Sequence, residues 1–242
     1  FCPVDGWADT STSTMGFAQA ARRLGVTIQE ETPVTGIEVV DNRARAVFAG
    51  NERIDAGAII CCAGPQTHAV GRLAGLDIPI APYRRMSFVT ERFDAVPASA
   101  PMTIEFGRSL YFHPESGGFL FGMSNKDEPS SEEKTVDEEW MGATVEALIE
   151  RAPVFESAEV RRGWAGFYEV TPDDNPLLGH VPGLDGFIVA AGFSGHGFMQ
   201  GPAIGLAIAE LVIDGATRTV DLTAFRPSRF EEGAMLQEHN VI

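Results

Sequence analysis

The sequence predicts an α/β protein, α+β overall, in which an antiparallel sheet interrupts an α/β layer. The layer is indicated by Phe187–Ala191, a short apolar run with β-branched residues that is typical of a buried strand. A glycine-rich turn follows it, and apolar residues then recur at helical spacing until Gly215 ends the helix. In the middle of the chain, short strand patterns alternate with Pro- and Gly-rich turns instead. We therefore expect a layered lobe formed by residues 1–80 and 165–242 and a sheet lobe formed by residues 81–164.

The first part of the chain alternates helix and strand patterns. Apolar residues recur at helical spacing over Thr12–Leu24, and Asp41-Asn42 is a hairpin-turn pair between two strand patterns. Ala58–Cys62 is a continuous apolar strand that runs into Ala63-Gly64-Pro65. This order predicts an α/β layer with a small antiparallel flap. The other elements expected here are strands over Val26–Ile28, Val34–Val40 and Ala44–Ala49 and a short helix over His68–Leu73.

The sheet lobe is predicted from four short strands and one helix. The acidic stretch Lys126–Glu139 is expected to be a solvated loop that enters a helix over Trp140–Ile149, and Pro153 ends that helix. A further strand over Val160–Trp164 precedes the return to the layer through the turn-rich Thr171–Pro176. The four short strands are Met86–Thr90, Thr103–Phe106, Ser109–His113 and Gly118–Met123.

The turn after Phe187–Ala191 contains Gly192, Gly195, Gly197 and Gly201, so no bulky side chain blocks a close approach. A strand, a glycine turn and a helix N-terminus together form a concave anion site. Free backbone N–H groups and the positive end of the helix dipole both point into such a site.

Three interpretations of this turn compete. The spacing Gly195, Gly197, Gly201 is close to the dinucleotide fingerprint, but no acidic residue lies at the expected distance beyond it. The run from Gly192 to Gly195 resembles a nucleophile elbow around Ser194, which would make the protein a hydrolase, yet one residue of that motif is absent. The third interpretation is a turn whose glycines only let a helix pack on a strand.

Composition and charge exclude several classes of function. The formal net charge of −16 argues against binding to nucleic acid or to an anionic membrane surface. No apolar run reaches the roughly 20 residues of a membrane span, so none is expected. No metal-ligand spacing is present among the five histidines and three cysteines. Cys61 and Cys62 fall on a predicted buried strand, which indicates reduced thiols and a cytoplasmic protein.

Two ordered series of residues carry a family resemblance. The first is RGWAGFYEVTPD from Arg162 to Asp173, with Leu178-Gly179 after it, and the second is AGFSGHGF from Ala191 to Phe198. The strand end CAGP at Cys62–Pro65 and the run YRRM at Tyr83–Met86 fit the same register. The chain resembles the FAD-dependent amino-acid oxidoreductases, which include D-amino-acid oxidase, sarcosine oxidase and glycine oxidase. Within that family it is most similar to the sarcosine oxidase β-subunit and L-proline dehydrogenase branch.

The resemblance covers only the C-terminal two-thirds of the family pattern. Family members begin with a strand, a GxGxxG turn and a helix that hold the FAD pyrophosphate, and nothing of this kind precedes Phe1. The resemblance thus implies a FAD/NAD(P)-binding-like layered lobe that lacks its N-terminal Rossmann βαβ, together with an antiparallel-sheet substrate lobe. Because a central strand is hard to omit, we expect truncation or a partner chain in a hetero-oligomer. FAD binding by this chain alone is expected to be weak or lost.

The resemblance also implies which residues contact a non-covalently bound FAD. In the family the glycine turn faces the isoalloxazine ring and ribityl chain. There a helix N-terminus stabilises the negative charge that hydride acceptance places on the ring, by on the order of 1 kcal/mol. The strand end before it approaches the cofactor in the same way. The cofactor-binding residues implied are Gly64, Pro65, Gly192, Phe193, Ser194, Gly195, His196, Gly197, Phe198 and Met199.

Departures from the family pattern narrow the chemistry. Tyr168 stands where glycine oxidases place an Arg for the substrate carboxylate, and Met199 stands where monomeric sarcosine oxidase has a Lys. The flavin-linking Cys of that enzyme corresponds to about Gly166, which excludes covalent attachment there. Leu120 occupies the position of the Lys that enhances reactivity with oxygen. We therefore expect a dehydrogenase that passes electrons to a carrier.

The catalytic candidates are Tyr168 and His196. Tyr168 either contacts the substrate or is a half-buried sheet residue, and His196 either acts as a base or lines the flavin through its backbone. Hydride transfer from an uncharged amine needs no obligatory base. Arg84 and Arg85 could reach a substrate carboxylate or form ion pairs, and His113 and Asp173 are expected at a sheet end and in a turn.

The expected function is FAD-dependent oxidation of a small-molecule amino acid with a secondary or N-methyl amine, such as sarcosine or proline, to its imine. The alternative is a non-catalytic binding or scaffold subunit of a flavoenzyme complex that has no bound cofactor.

Overall fold

The computed structural model describes residues 2, 4 and 6–236 and divides them into two compact units. One unit, called here the sheet unit, comprises Tyr83–Tyr168 and the described part of residues 1–8. The other, called here the layer unit, comprises Asp9–Pro82 and residues 169–236. The mixed α/β composition with several sheets confirms the predicted fold class.

The layer unit begins with helix α1, Thr10–Arg23, which starts where the Asp9 side chain accepts a hydrogen bond from the Thr12 amide. A three-stranded antiparallel sheet follows, with its strands in chain order. The φ angles of Asp41 and Asn42, 51° and 56°, give the tight hairpin that the sequence predicts. The fourth strand of the chain belongs to a different sheet, and a short helix follows it. These elements are β1 (Val34–Val40), β2 (Arg43–Ala49), β3 (Glu52–Asp55), β4 (Ile59–Cys61) and α2 (Thr67–Leu73).

The sheet unit contains a five-stranded sheet with one helix packed on it. Aromatic side chains fill its core, and Phe88, Phe119 and Phe121 are each at most 1% exposed. Asp137 caps the start of the helix, since its carboxylate accepts from the amides of Glu139 and Trp140, and the helix ends just before Pro153. Its elements are β5 (Ala81–Thr90), β6 (Thr103–Glu105), β7 (Leu110–Glu115), β8 (Gly118–Met123), α3 (Glu138–Arg151) and β9 (Val160–Val170), and the strand order is β6-β7-β8-β5-β9.

The chain completes the layer unit with β10 (Leu177–His180), β11 (Phe187–Ala191) and α4 (Gly197–Asp214). All five residues of β11 are buried, as the apolar run predicts, and β11 lies between β10 and β4. Helix α4 packs on this sheet through Ala207 and Ile208 and ends at Gly215, whose φ is 74°.

One predicted strand is absent, and two strands of the structure were not predicted. Val26–Ile28 forms no strand, because the chain after α1 closes the helix end with a hydrogen bond from the Val26 amide to the Ala21 carbonyl. The strands β3 and β10 were not predicted, since one is polar and the other is a four-residue run between Pro-rich turns.

Helix α4 also has the length and composition of a membrane-spanning helix. One such helix is weak evidence for a span, and α4 contributes two buried residues to the core beside β10 and β11. That the chain has no span therefore stays a prediction.

Candidate functional site

Parallel pairing brings two of the predicted cofactor segments together. Strand β4 pairs with β11 in parallel register, with Val189 opposite Cys61. The carboxyl ends of parallel strands meet at one edge of a sheet, where ligands of open α/β sheets bind. The segment from Gly64 therefore starts beside the turn from Gly192.

The Glu169 side chain lies between these two segments. Its Oε1 accepts a hydrogen bond from the Phe193 amide at 3.4 Å, and its backbone carbonyl accepts from the Ser194 amide at 3.1 Å. Its Oε2 lies 2.7 Å from where a Cβ on Gly64 would stand, and Gly64 has a φ of 55°. Both observations explain the glycine at 64. Burial raises the pKa of Glu169, and hydrogen bonds from the Phe193 and Gly192 amides oppose that rise only in part.

This arrangement corrects the prediction that the turn offers free amides throughout. A carboxylate of the same chain already uses the Phe193 amide. The amides of Gly197, Phe198 and Met199 open α4, where no intrahelical acceptor exists, and the structure as described gives them no hydrogen bond. Among the described amides of this segment, the donors that remain for an external anion are therefore those of Gly195 and of the first three residues of α4.

Two glycines of the turn are required for different reasons. A Cβ on Gly192, whose φ is 84°, would lie 2.5 Å from the Thr171 side chain. Gly195 has a φ of 96° and nothing within 4 Å of an added Cβ. The first glycine is thus needed for packing and conformation, and the second faces open space.

Beside the turn, a cavity of about 680 Å³ lies between α1 and α4. Phe17 of α1 and Phe198 and Leu206 of α4 line it, and about half or more of each residue is exposed. None of the α1 residues, all of which are described, is buried. The turn therefore opens on an apolar cleft within the layer unit.

Ser194 does not have the environment of a nucleophile. It is fully buried with a φ of 49°, and its Oγ donates weakly to the carbonyls of Gly192 and Glu169 at 3.5 Å. A serine nucleophile needs an adjacent general base, and the hydroxyl here faces backbone oxygens. His196 caps α4 without a side-chain hydrogen bond to the helix, and Pro65 begins a short 3₁₀ helix at Gly64–Gln66.

Tyr168 lies in the sheet unit, where it lines a second cavity of about 140 Å³. The Arg85 guanidinium lies over the Tyr168 ring, with its Cζ 5.3 Å from the ring centroid. Burial raises the pKa of Tyr168, and the Arg85 charge opposes that rise. Burial also raises the pKa of Tyr111, to about 12, while a 2.8 Å hydrogen bond joins its hydroxyl to Ser87. The cavity lining is Arg85, Met86, Ser87, Tyr111, Met123, Ser124, Trp164, Gly166, Phe167 and Tyr168.

The neighbouring Arg84 serves the structure instead. Its guanidinium contacts Glu128 at 2.7 Å, and the two side chains are only 13% and 7% exposed. It also donates to the Thr135 carbonyl. Of the two arginines proposed for a substrate carboxylate, Arg85 lines the cavity and Arg84 holds the acidic loop.

Asp173 belongs to a buried ion pair. Arg229 contacts both of its carboxylate oxygens, at 2.7 and 2.9 Å, and neither side chain is more than 1% exposed. Burial pushes the pKa of Asp173 upward, but the hydrogen bonds from Arg229 and the Leu236 amide outweigh it and hold that pKa below its ordinary value. Asp173, which was predicted as a turn residue, is therefore also one member of a buried ion pair. Its partner Arg229 was not predicted from the sequence.

The cysteines are all free among the described residues, and no group of three or more possible metal ligands is found there. Cys61 is buried at the end of β4, but Cys62 lies beyond the strand and is exposed, contrary to the prediction of a buried pair. Burial raises the pKa of the Cys61 thiol.

Paired strand ends, a glycine turn and an open helix start are typical of α/β units that bind cofactors. The chain belongs to the family of FAD-dependent oxidoreductases (DAO), whose family model matches residues 1–211. It is 33% identical over 186 residues to FAD-dependent oxidoreductase domain-containing protein 1 of Xenopus laevis, covering 74% of this chain and 37% of that protein. It is 28% identical over 237 residues to sarcosine oxidase subunit beta of Rhodobacter capsulatus, covering 96% of this chain and 55% of that protein.

Among solved structures, L-proline dehydrogenase from P. horikoshii matches with a TM-score of 0.91 and 30% identity, covering 97% of this chain and 63% of that one. These matches confirm the predicted family. The chain spans between 37% and 63% of the length of these three relatives.

Proposed function

We propose that this chain takes part in FAD-dependent oxidation of a secondary or N-methyl amino acid, such as sarcosine or proline, to its imine. Bound FAD supplies the hydride acceptor for the carbon next to the amine nitrogen. We assign FAD binding to residues 1–80 and 165–242 and the substrate to residues 81–164. The relatives named for sarcosine and L-proline support this class of substrate.

One observation carries the proposal: the glycine turn at the end of β11 is open on its outer side. Nothing lies within 4 Å of an added Cβ on Gly195 of the turn or on Gly201 and Gly205 of α4, whereas a Cβ on Gly197 would lie 3.1 Å from the Phe193 side chain. The backbone is therefore accessible to a flat ring, and the amides that begin α4 face an anionic edge of that ring. These features fit the isoalloxazine and ribityl part of FAD.

The residues proposed to hold this part of FAD lie on two segments. Gly64 and Pro65 follow β4, and the remainder lie from Gly192 to Met199. We propose non-covalent binding, because Gly166 offers no thiol at the position of the family's flavin-linking residue. In this proposal His196 lines the cofactor through its backbone.

In the sheet unit we propose that Tyr168 contacts the substrate. Its raised pKa keeps the hydroxyl protonated at neutral pH, so it can donate a hydrogen bond. We further propose an electron carrier as the acceptor, because Leu120 of β8 stands at the position of the Lys that enhances reactivity with oxygen in the family. A cytoplasmic location is proposed from the free cysteines, and a hetero-oligomer from the relative named as a subunit.

The first experiment measures flavin retention. The purified chain is mixed with FAD and desalted, and absorbance near about 450 nm is recorded. Retained flavin is then bleached anaerobically with sarcosine or L-proline, and an absence of bleaching by any amine would reject the reaction class. Gly195→Val should abolish flavin retention, whereas Gly183→Val is the control for general loss of folding, because Gly183 has a φ of 77° in the same unit but lies outside the turn.

A non-catalytic scaffold is the second candidate. The observation that favours it is the Glu169 carboxylate, which already uses one amide of the turn. Colourless protein that cannot be reconstituted with FAD, even together with a partner chain, would support the scaffold and contradict the enzyme.

A further inference from the structure

We propose that Glu169 is a positioning residue for the cofactor site, because its side chain holds residues 192–194 of the turn beside the segment that starts at Gly64. The inference rests on the proposed function, which assigns FAD to these two segments. Glu169 acts on the cofactor through the backbone around it, and the length of its side chain, rather than its charge, is the property that this role requires.

Glu169 holds the turn through its backbone and through its side chain. Its carbonyl oxygen accepts a hydrogen bond from the Ser194 amide at 3.1 Å and lies 3.5 Å from the Ser194 hydroxyl. Its Oε1 accepts from the Phe193 amide at 3.4 Å. The backbone contact is available to any residue at this position, whereas the contact with the Phe193 amide requires a side-chain acceptor of this length. The side chain therefore fixes a part of the turn that the backbone of Glu169 does not reach.

The other oxygen of the carboxylate packs against the Gly64 backbone. Oε2 lies 2.7 Å from the position of a Cβ on Gly64, whose φ of 55° also favours glycine. Strands β4 and β11 pair in parallel as far as Cys61 and Val189. Beyond these residues, no described backbone hydrogen bond joins residues 62–66 to the turn from Gly192. The Glu169 side chain thus lies where the two segments are no longer held by sheet pairing.

The charge of Glu169 has no comparable role. No cation of the described residues pairs with it. Burial raises the pKa of its carboxyl group, and hydrogen bonds from the Phe193 and Gly192 amides oppose that rise only in part. An ionised carboxylate is therefore less favourable here than a neutral carboxamide of the same length. Length and charge can be separated, because Glu169→Gln keeps the accepting oxygen and Glu169→Asp keeps the charge.

This contact leaves other donors of the turn for a ligand. Glu169 uses the amides of Phe193 and Ser194, whereas the described amides of Gly195 and of the first three residues of α4 have no hydrogen bond. A flat ring that contacts both segments needs the free amides and the Gly64 backbone at a fixed separation. Misplacement of such groups by about 1 Å can cost about a hundredfold in function, even when the altered residue lies outside the chemistry.

The first measurement is amide hydrogen exchange in the full 242-residue chain, followed by mass spectrometry of peptides that cover residues 187–196. Glu169→Ala should raise the exchange rate in these peptides by about two- to tenfold, because a hydrogen bond of the turn is lost. Glu169→Asp should raise it as well, since its carboxylate is one methylene too short, and Glu169→Gln should leave it unchanged. Glu38→Ala is the control, because Glu38 pairs with Arg53 at the surface of the same unit. Equal exchange in all chains would overturn the proposal.

The second measurement is the amount of FAD retained after desalting, which requires no turnover. Glu169→Ala and Glu169→Asp should retain at least about tenfold less flavin than the wild-type chain, and Glu169→Gln should retain as much as the wild type. Retention by Glu169→Asp but not by Glu169→Gln would show that charge is required instead of length, and would contradict the proposal. If Glu169→Ala exchanges faster over the whole chain because it does not fold, the comparison of Glu169→Gln with Glu169→Asp decides.

Failure of this role can be distinguished from failure of the proposed function. If the wild-type chain and all three Glu169 variants retain flavin equally, the proposed function stands and the positioning role is wrong. If the wild-type chain retains no flavin, the proposed function fails and the positioning role fails with it.

Discussion

The Glu169 carboxylate is partly buried, and the hydrogen bonds that it accepts from the backbone offset the cost of burial only in part. The described hydrogen bond to its side chain is long, 3.4 Å, and burial dominates the shift of its pKa. Its position beside Gly64 follows from the strand end and the turn, and neither shows in the sequence near residue 169. The family motif marks the region of Glu169, but only the three-dimensional structure gives its partner.

Glu169→Gln should change the pH dependence of stability. Because the folded chain raises the pKa above the ordinary 4.5, it binds this proton more tightly than the unfolded chain does. Acidification from pH 7 toward that value should therefore stabilise the wild-type chain, and this gain should be absent in the variant. Urea unfolding of both chains at several pH values between about 5 and 7 checks this, and the difference between the two profiles isolates Glu169, because the lowered pKa of Glu210 and of Glu232 affects both chains equally. Parallel pH profiles for the two chains would contradict it.

Arg229→Met should destabilise the chain by about 3–5 kcal/mol, because it leaves the buried Asp173 carboxylate without its partner. Arg53→Met is the matched control. Arg53 pairs with Glu38 and Asp55 at the surface, where solvent screens the pairs, so its loss should change the stability little. Chemical denaturation monitored by circular dichroism measures both. Similar losses of stability in the two variants would contradict the stabilising role of the buried Arg229–Asp173 pair.

The same pair shows a limit of sequence reasoning. Asp173 was predicted as a turn residue, and its carboxylate does accept from the Asn175 amide. Arg229 stands 56 positions later, and no local pattern connects the two. Such a long-range pair is invisible to periodicity and turn propensity.

At the scale of elements, the predictions that held depend on local chemistry. Buried β11, the Asp41-Asn42 hairpin and the Gly215 helix end each follow from residue types within a few positions. The strands β3 and β10 depend on neighbours that the chain brings in from elsewhere. The apolar Val26–Ile28 lacks such a neighbour and remains irregular.

Two glycine substitutions should have opposite effects on stability. Gly201 lies within α4 with open space at its Cβ position, so Gly201→Ala should stabilise by about 0.5–1 kcal/mol. Gly195 has a φ of 96°, so Gly195→Ala should cost about 1–2 kcal/mol through backbone strain alone. Thermal unfolding of both variants measures the difference. A stabilising Gly195→Ala would show that the turn does not have this conformation.

For the whole molecule, the sequence anticipated the class of fold and the family, because its motifs are spread over most of the chain. The cavity of the sheet unit was not foreseen. Arg85, Ser87, Tyr111 and Tyr168 come from three strands, and their meeting depends on sheet order and register. Only Tyr168 and Arg85 were candidates beforehand.

The apolar cleft between α1 and α4 should bind a hydrophobic fluorescent dye. Phe17→Asp should reduce the dye signal, because Phe17 lines the cleft and is 64% exposed. Phe106→Asp is the control, since Phe106 is similarly exposed, at 59%, but lies in the sheet unit. Fluorescence titration of the three chains decides, and an equal reduction in both variants would place the dye elsewhere.

The burial of the Arg229–Asp173 pair has a consequence for behaviour in concentrated salt. Mobile ions screen exposed pairs such as Arg53–Glu38, whereas a pair at most 1% exposed is barely reached by them. Rising ionic strength should therefore weaken the ion pairs at the surface of the layer unit. The contacts that Arg229 makes between the Thr171–Pro176 turn and the C-terminal segment of that unit should stay intact.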